Sequence, residues 1–152
     1  MGASERLEAK LAPIGRALLE PGEELRGTLV ATEAKTFGGG PRAVVVTNRR
    51  LLVQPVDRKW GAKGKPLSVL PGDIAELRIS GLGDHWYNTA ISMVANAGFE
   101  VRLKTGSGDK LKLMFMGGEG SLFGSAGGGE TQARGVAALV EWLRAARSST
   151  SD

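Results

Sequence analysis

The sequence predicts a mainly β fold with a helix at each end, on three observations. Apolar residues recur at every second position through much of residues 24–116, they recur at helical spacing over residues 4–20 and 131–147, and Gly-, Pro- or Asn-containing turns separate the period-two runs. At 152 residues the chain suits one domain, since a single fold of this size buries about 70% of its unfolded surface.

Within residues 4–20, Leu7, Leu11, Ile14 and Leu18 form a helical stripe interspersed with Glu8, Lys10 and Arg16. Ser4 can cap its start, and Pro13 and Gly15 predict a kink or two short helices. Pro21-Gly22 ends the segment. From Glu24 the period changes to two, with Leu25, Gly27, Leu29 and Ala31 on one face of a first strand. The Phe37-Gly38-Gly39-Gly40-Pro41 run breaks it. Residues 42–47 and 50–56 form two further strands joined at Asn48-Arg49, a hairpin. An exposed basic loop over residues 57–65 precedes a short strand at Leu67, Val69 and Leu70, which Pro71-Gly72 ends. Ile74, Leu77 and Ile79 mark an extended segment to residue 80, and residues 81–88 read as a loop with Trp86-Tyr87 packed against something. Strands are predicted over residues 90–95, 99–104 and 110–116, the last two joined by Gly106-Ser107-Gly108-Asp109. Residues 117–130 hold seven glycines and predict a mobile connection. Val136, Leu139, Val140 and Leu143 then mark a closing helix over 131–147, with Arg144 and Arg147 suited to its C-terminal dipole. The division predicted is a helical extension over 1–20, a domain over 21–147 and a disordered tail over 148–152.

Composition narrows the chemistry. Cysteine is absent, which excludes disulfides, thiol catalysis and thiolate metal sites. The single histidine, His85, and the lack of a paired acidic motif predict neither a metal site nor a cofactor, and no enzyme. His85 beside Asp84 and Trp86 reads as a loop histidine with structural hydrogen bonds. Gly61-Ala62-Lys63-Gly64-Lys65-Pro66 lacks the spacing and the Ser/Thr of a phosphate-binding loop, and Gly118-Glu119-Gly120-Ser121-Leu122-Phe123 has Phe where a dinucleotide-binding motif wants Gly. The N-terminal residues lack the apolar run of a secretory signal, and no apolar stretch approaches the roughly 18–20 residues of a membrane span. A cytoplasmic protein is expected, with a peripheral position at the inner membrane face as the second reading.

Val45-Val46-Thr47-Asn48-Arg49-Arg50-Leu51-Leu52-Val53, followed by Leu70-Pro71-Gly72-Asp73-Ile74, resembles the bacterial pleckstrin-homology (PH-like) domains. In these a Thr-Asn-Arg-Arg-Leu-type hairpin precedes a basic or glycine-containing loop and then an Ile-Pro-Leu-type segment; Gly72 stands where leucine is usual. Leu19-Glu20-Pro21-Gly22-Glu23-Glu24 is similar to the approach to their first strand. The resemblance spans about residues 19–147. It implies a seven-stranded, strongly bent antiparallel sheet or barrel, capped at one end by the C-terminal helix, with Trp142 as the tryptophan that such helices carry. The helix before it is an addition.

Charge placement points to a candidate site. Residues 34–65 hold eight basic side chains against the single acid Asp57, a local +7 that leaves −3 on the rest of a chain whose total is +4. In a PH-like topology the first-to-second and third-to-fourth loops share the open end. Lys35, Phe37 and Arg42 would then face Arg58, Lys59, Trp60, Lys63 and Lys65, with the aromatic rings entering a membrane interface and the cations meeting anionic lipid. Lys for solubility alone is the plain alternative. Eukaryotic phosphoinositide-binding PH domains carry a second basic residue just after the one equivalent to Arg42; here Ala43 and Val44 follow, so generic anion binding replaces specific inositol-phosphate recognition. Arg49 and Arg50 lie at the opposite turn and suit the hairpin or a subunit contact. The partner expected is a protein or an anionic lipid surface. A homo-oligomeric scaffold built through the N-terminal helix is the alternative, and the scarcity of strand aromatics disfavours a nucleic-acid-binding barrel.

Overall fold

A computed structural model describes residues 3–34, 39–57, 59–81, 99–115 and 129–150. Helix α1 (Ala3–Leu18) leads into strands β1 (Leu25–Glu33), β2 (Gly40–Thr47), β3 (Leu51–Pro55), β4 (Leu67–Val69), β5 (Ile74–Ser80), β6 (Phe99–Thr105) and β7 (Lys110–Phe115), and helix α2 (Gly129–Thr150) closes the chain. A short 3-10 turn, Pro71–Asp73, joins β4 to β5. The seven strands form one antiparallel sheet in the order β4-β3-β2-β1-β7-β6-β5, curled into a half-barrel. This is the PH-like architecture. The predicted strand over 90–95, the His85 and Trp86-Tyr87 loop and most of the glycine-rich connection lie outside the described residues.

The concave face carries the main core. Leu29, Ala31, Val44, Val46, Leu51 and Val53 from the first strands meet Val101, Leu103, Leu111 and Leu113 from β6 and β7, and Val136, Leu139, Val140, Trp142 and Leu143 of α2 cover them. Each large aliphatic side chain so buried contributes about 1.5–3 kcal/mol relative to exposure. Phe99 and Phe115, directly opposite in register, stack with ring centroids 5.0 Å apart. Glycines let helix and sheet approach closely. A Cβ on Gly135 would collide with the Thr28 carbonyl, and one on Gly27 would lie 2.8 Å from the Ala138 Cβ.

Helix α1 covers the convex face of the first strands. Leu11 is buried with Val30, Ala43 and Val56, and Ile14 and Trp60 pack around them. Gly15 permits this approach, because a Cβ there would stand 3.2 Å from a Leu25 methyl. The helix is a single element through Pro13, so the alternative of two short helices is not what forms. Pro13 lies on an exposed turn, and Leu11 and Ile14 on either side of it are held by the sheet. Helix α2 extends to Thr150, three residues into the segment expected to be a tail.

The Thr47-Asn48-Arg49-Arg50 segment and Glu23 form a single lock. Thr47 Oγ1 donates to Glu23 Oε2 at 2.7 Å and accepts the N–H groups of Arg49 and Arg50. Arg50 donates through Nε to Glu23 Oε2 at 2.8 Å and through Nη2 to Glu23 Oε1 and the Leu18 carbonyl. Asn48 Oδ1 accepts the Glu24 N–H, and the Glu24 carbonyl accepts the Asn48 N–H. The end of α1, the approach to β1 and the β2–β3 hairpin are thereby tied at one point. Gly22, with φ of 81°, makes the turn that brings Glu23 there. Arg50 is thus a hairpin residue.

Candidate binding surface

In β2 the side chain of Arg42 falls on the same face as Val44 and Val46, the concave one, because directly opposite residues Arg42 and Ala31 share that face. Arg42 is only 7% exposed. Its Nε donates to Glu33 Oε1 at 3.3 Å and its Nη1 to the Pro41 carbonyl at 2.9 Å. The placement of Arg42 among the surface cations is therefore corrected. It braces the rim of the half-barrel, and its charge is matched by a buried carboxylate.

The β3–β4 loop lies at this same end, since Arg42 pairs with Pro55 and the Val56 N–H reaches the Pro41 carbonyl. The loop is folded by its own polar groups. Asp57 Oδ1 accepts the N–H groups of Lys59 and Gly61 at 2.8 and 2.9 Å, and the Asp57 N–H donates to the Gly61 carbonyl. Gln54 is buried on the convex face and donates to the carbonyls of Pro55 and Gly64. The Lys63 N–H donates to the Pro55 carbonyl at 2.8 Å. Lys59, Lys63 and Lys65 project from this frame and are exposed.

Trp60 does not stand at the tip. Its ring is half-buried against the Leu11, Val30, Ala43 and Val56 cluster, and its backbone takes the left-handed conformation with φ of 66°. A non-glycine residue in that region costs roughly 1–2 kcal/mol, which burial of the indole offsets. Trp60 anchors the loop, and the lysines carry its outward chemistry. Lys35, Phe37 and Arg58 lie outside the described residues.

A second group of cations escaped the sequence reading. On the convex face of β5–β7, Arg78 stands opposite Arg102 and Arg102 opposite Lys112, while Lys104 stands opposite Lys110 and Glu76. With Ala34 at the end of β1 they line an open groove of about 610 Å³. The signal was present as alternation, with Arg102, Lys104, Lys110 and Lys112 at every second position. Linear charge counting missed it because Glu100 and Asp109 dilute the local sum, whereas strand register gathers the cations onto one face.

Among the described residues no three potential metal ligands cluster, and no helix is long and apolar enough to cross a membrane. These features define a PH-like β fold carrying two cationic surfaces. No protein-family model and no curated protein matches the sequence. Among solved structures, the chain is similar to the hSac2 domain from the human phosphoinositide phosphatase Sac2, at TM-score 0.51 and 8% identity over 100% of this chain and 87% of that one. It also matches, at lower scores, a pleckstrin homology domain from Shewanella amazonensis (TM-score 0.36, 17% identity, 72% and 70% covered) and the C-terminal domain of an unknown protein from Leishmania infantum (0.41, 12%, 74% and 84%). The hSac2 likeness supports the fold.

Proposed function

We propose that the chain is a non-enzymatic binding module whose β3–β4 loop engages an anionic membrane surface. The observation that carries this reading is the loop itself: Asp57, its one acid, is spent on backbone N–H groups, while Lys59, Lys63 and Lys65 are exposed on a frame that Gln54 and Trp60 hold in place. A preformed cationic loop loses little conformational freedom on binding. Each lysine close to an anionic bilayer contributes about 1 kcal/mol, screened within a Debye length. With Trp60 packed inward, the contact is electrostatic at the headgroups and shallow. That a phosphoinositide phosphatase contains a domain of similar fold is compatible with work at membranes and assigns no catalysis to this chain. A protein partner with an acidic surface is the neighbouring reading.

The homo-oligomer reading rested on the apolar stripe of α1. At Leu11 and Ile14 that stripe packs on the chain's own sheet, which removes its motive there. Co-sedimentation with vesicles tests the membrane reading: retention on phosphatidylserine-containing but not on phosphatidylcholine vesicles, lost at high salt, is expected. Equal behaviour on both would refute it.

A further inference from the structure

We propose that the convex face of β5–β7 is a second docking surface, for an extended acidic peptide segment of a partner protein with carboxylates on alternate residues. The proposal is independent of the membrane reading of the β3–β4 loop.

The face places like charges side by side. Arg78, Arg102 and Lys112 form one row across three strands, and Lys104 and Lys110 stand side by side in the next, with Glu76 of β5 at its far end. Directly opposed like charges disfavour a sheet, so the arrangement works against the fold that displays it. One carboxylate relieves part of it: Glu100 lies 3.4 Å from Arg102 Nε and 3.2 Å from Lys112 Nζ. Among the described residues Arg78, Lys104 and Lys110 have no ion pair. Glu100 shows what fits between these cations, a carboxylate bridging neighbouring strands; in the next row Glu76 of β5 stands opposite Lys104 without pairing to it, and among the described residues no carboxylate bridges Lys104 and Lys110.

Spacing selects the shape of the occupant. Successive rows are two residues apart along a strand, about 6.6–6.8 Å, which is also the spacing of alternate side chains in an extended peptide. A peptide crossing the 610 Å³ groove can thus set one carboxylate against Arg78 and Arg102 and the next against Lys104 and Lys110. Arg78 and Arg102 suit bidentate contact with a carboxylate. Other anionic partners fit less well. Single-stranded nucleic acid calls for aromatic stacking platforms, and the outward positions of β5–β7 carry no aromatic ring. A bilayer surface calls for apolar groups to enter the interface, and this face offers Met114 alone.

The test is a titration of the amide NMR spectrum with a peptide of about eight residues alternating serine and glutamate. Saturable shifts within residues 100–104 and 110–114 are expected, with affinity reduced at least tenfold in an Arg102→Ser, Lys104→Ser variant and, separately, in Lys110→Ser. A peptide of the same composition with its glutamates contiguous should bind several-fold more weakly. Lys59→Glu, Lys63→Glu, Lys65→Glu should leave the peptide affinity unchanged, so this proposal and the membrane reading fail separately. Shifts confined to residues 57–65, an absence of saturable shifts, equal binding of the contiguous peptide, or tighter binding of a short oligothymidylate at the same residues would each overturn the proposal.

Discussion

The two halves of the sheet treat charge in opposite ways. In β1–β3 both faces are covered, by α2 on the concave side and α1 on the convex side, and burial is continuous from Ala43 to Thr47. A strand covered on both faces reads as an apolar run rather than an alternation, and Ala43-Val44-Val45-Val46 is such a run. Two arginines of this half, Arg42 and Arg50, reach buried carboxylates on Glu33 and Glu23, while Arg26 at the start of β1 pairs with Glu24 at the surface. In β6 and β7 buried and outward positions alternate, no helix among the described residues covers the convex side, and the cations remain at the surface. A charge within a strand covered on both faces can thus be turned inward to a buried partner, as Arg42 is, whereas on a sheet with one free face it stays at the surface.

The largest expected effect comes from making one substitution in each half. Arg50→Met strands Glu23 without its main partner and should cost about 3–5 kcal/mol in urea unfolding, as removal of one member of a buried pair does. Arg102→Met, on the open face, should stay within about 0.5 kcal/mol. Similar costs for the two would erase the distinction between the halves.

Acid should single out the covered half next. The Arg50 guanidinium, through its hydrogen bonds, holds the Glu23 carboxyl well below its ordinary 4.5, at about 2, against the opposing effect of burial. A depressed carboxylate pKa stabilises the fold fully above the unfolded value, and the contribution is lost as pH falls from about 4.5 toward 2. It amounts to about 3 kcal/mol. Denaturant midpoints measured from pH 6 to pH 2.5 should fall through this window, and Glu23→Gln should be less stable at pH 6 and show a shallower decline. A parallel decline in that variant would place the acid sensitivity elsewhere.

Packing provides a smaller contrast. Gly135→Ala drives a methyl into the β1 backbone at Thr28 and should cost about 1–3 kcal/mol by overpacking. Gly72→Ala, with open space around the added carbon, should be neutral or stabilising by up to about 1 kcal/mol. Thermal melts of the pair would read this directly. The smallest effect has the opposite sign: Lys110→Thr removes a cation facing Lys104 and should raise stability by about 0.2–1 kcal/mol.

Much of the fold was legible because local rules sufficed. Period-two or β-branched apolar runs and the turns between them located the seven described strands, Asn48-Arg49 and Gly106-Ser107-Gly108-Asp109 located hairpins, and the spacing of Val136, Leu139, Val140 and Leu143 located the buried stripe of α2. The convex cover by α1 was not legible, since an amphipathic stripe does not say which surface it meets. The site was legible in part. Lys59, Lys63 and Lys65 are where loop composition put them, whereas Arg42 could have been placed by parity with Val44 and Val46, and Trp60 turns inward because the loop it occupies folds back on α1's contact cluster. The cations of β5–β7 needed register between strands distant in sequence, which no linear window contains.

The central claim is that the β3–β4 loop, and not the sheet face, is the lipid-facing surface. Sedimentation with phosphatidylserine vesicles should compare two charge-reversal variants: Lys59→Glu, Lys63→Glu, Lys65→Glu in the loop, and Arg102→Glu, Lys104→Glu, Lys110→Glu on the face. A loss of at least tenfold in vesicle affinity for the loop variant, with the face variant within about threefold of the unsubstituted protein, is predicted from roughly 1 kcal/mol per cation at the membrane. Loss in the face variant with retention in the loop variant would contradict it.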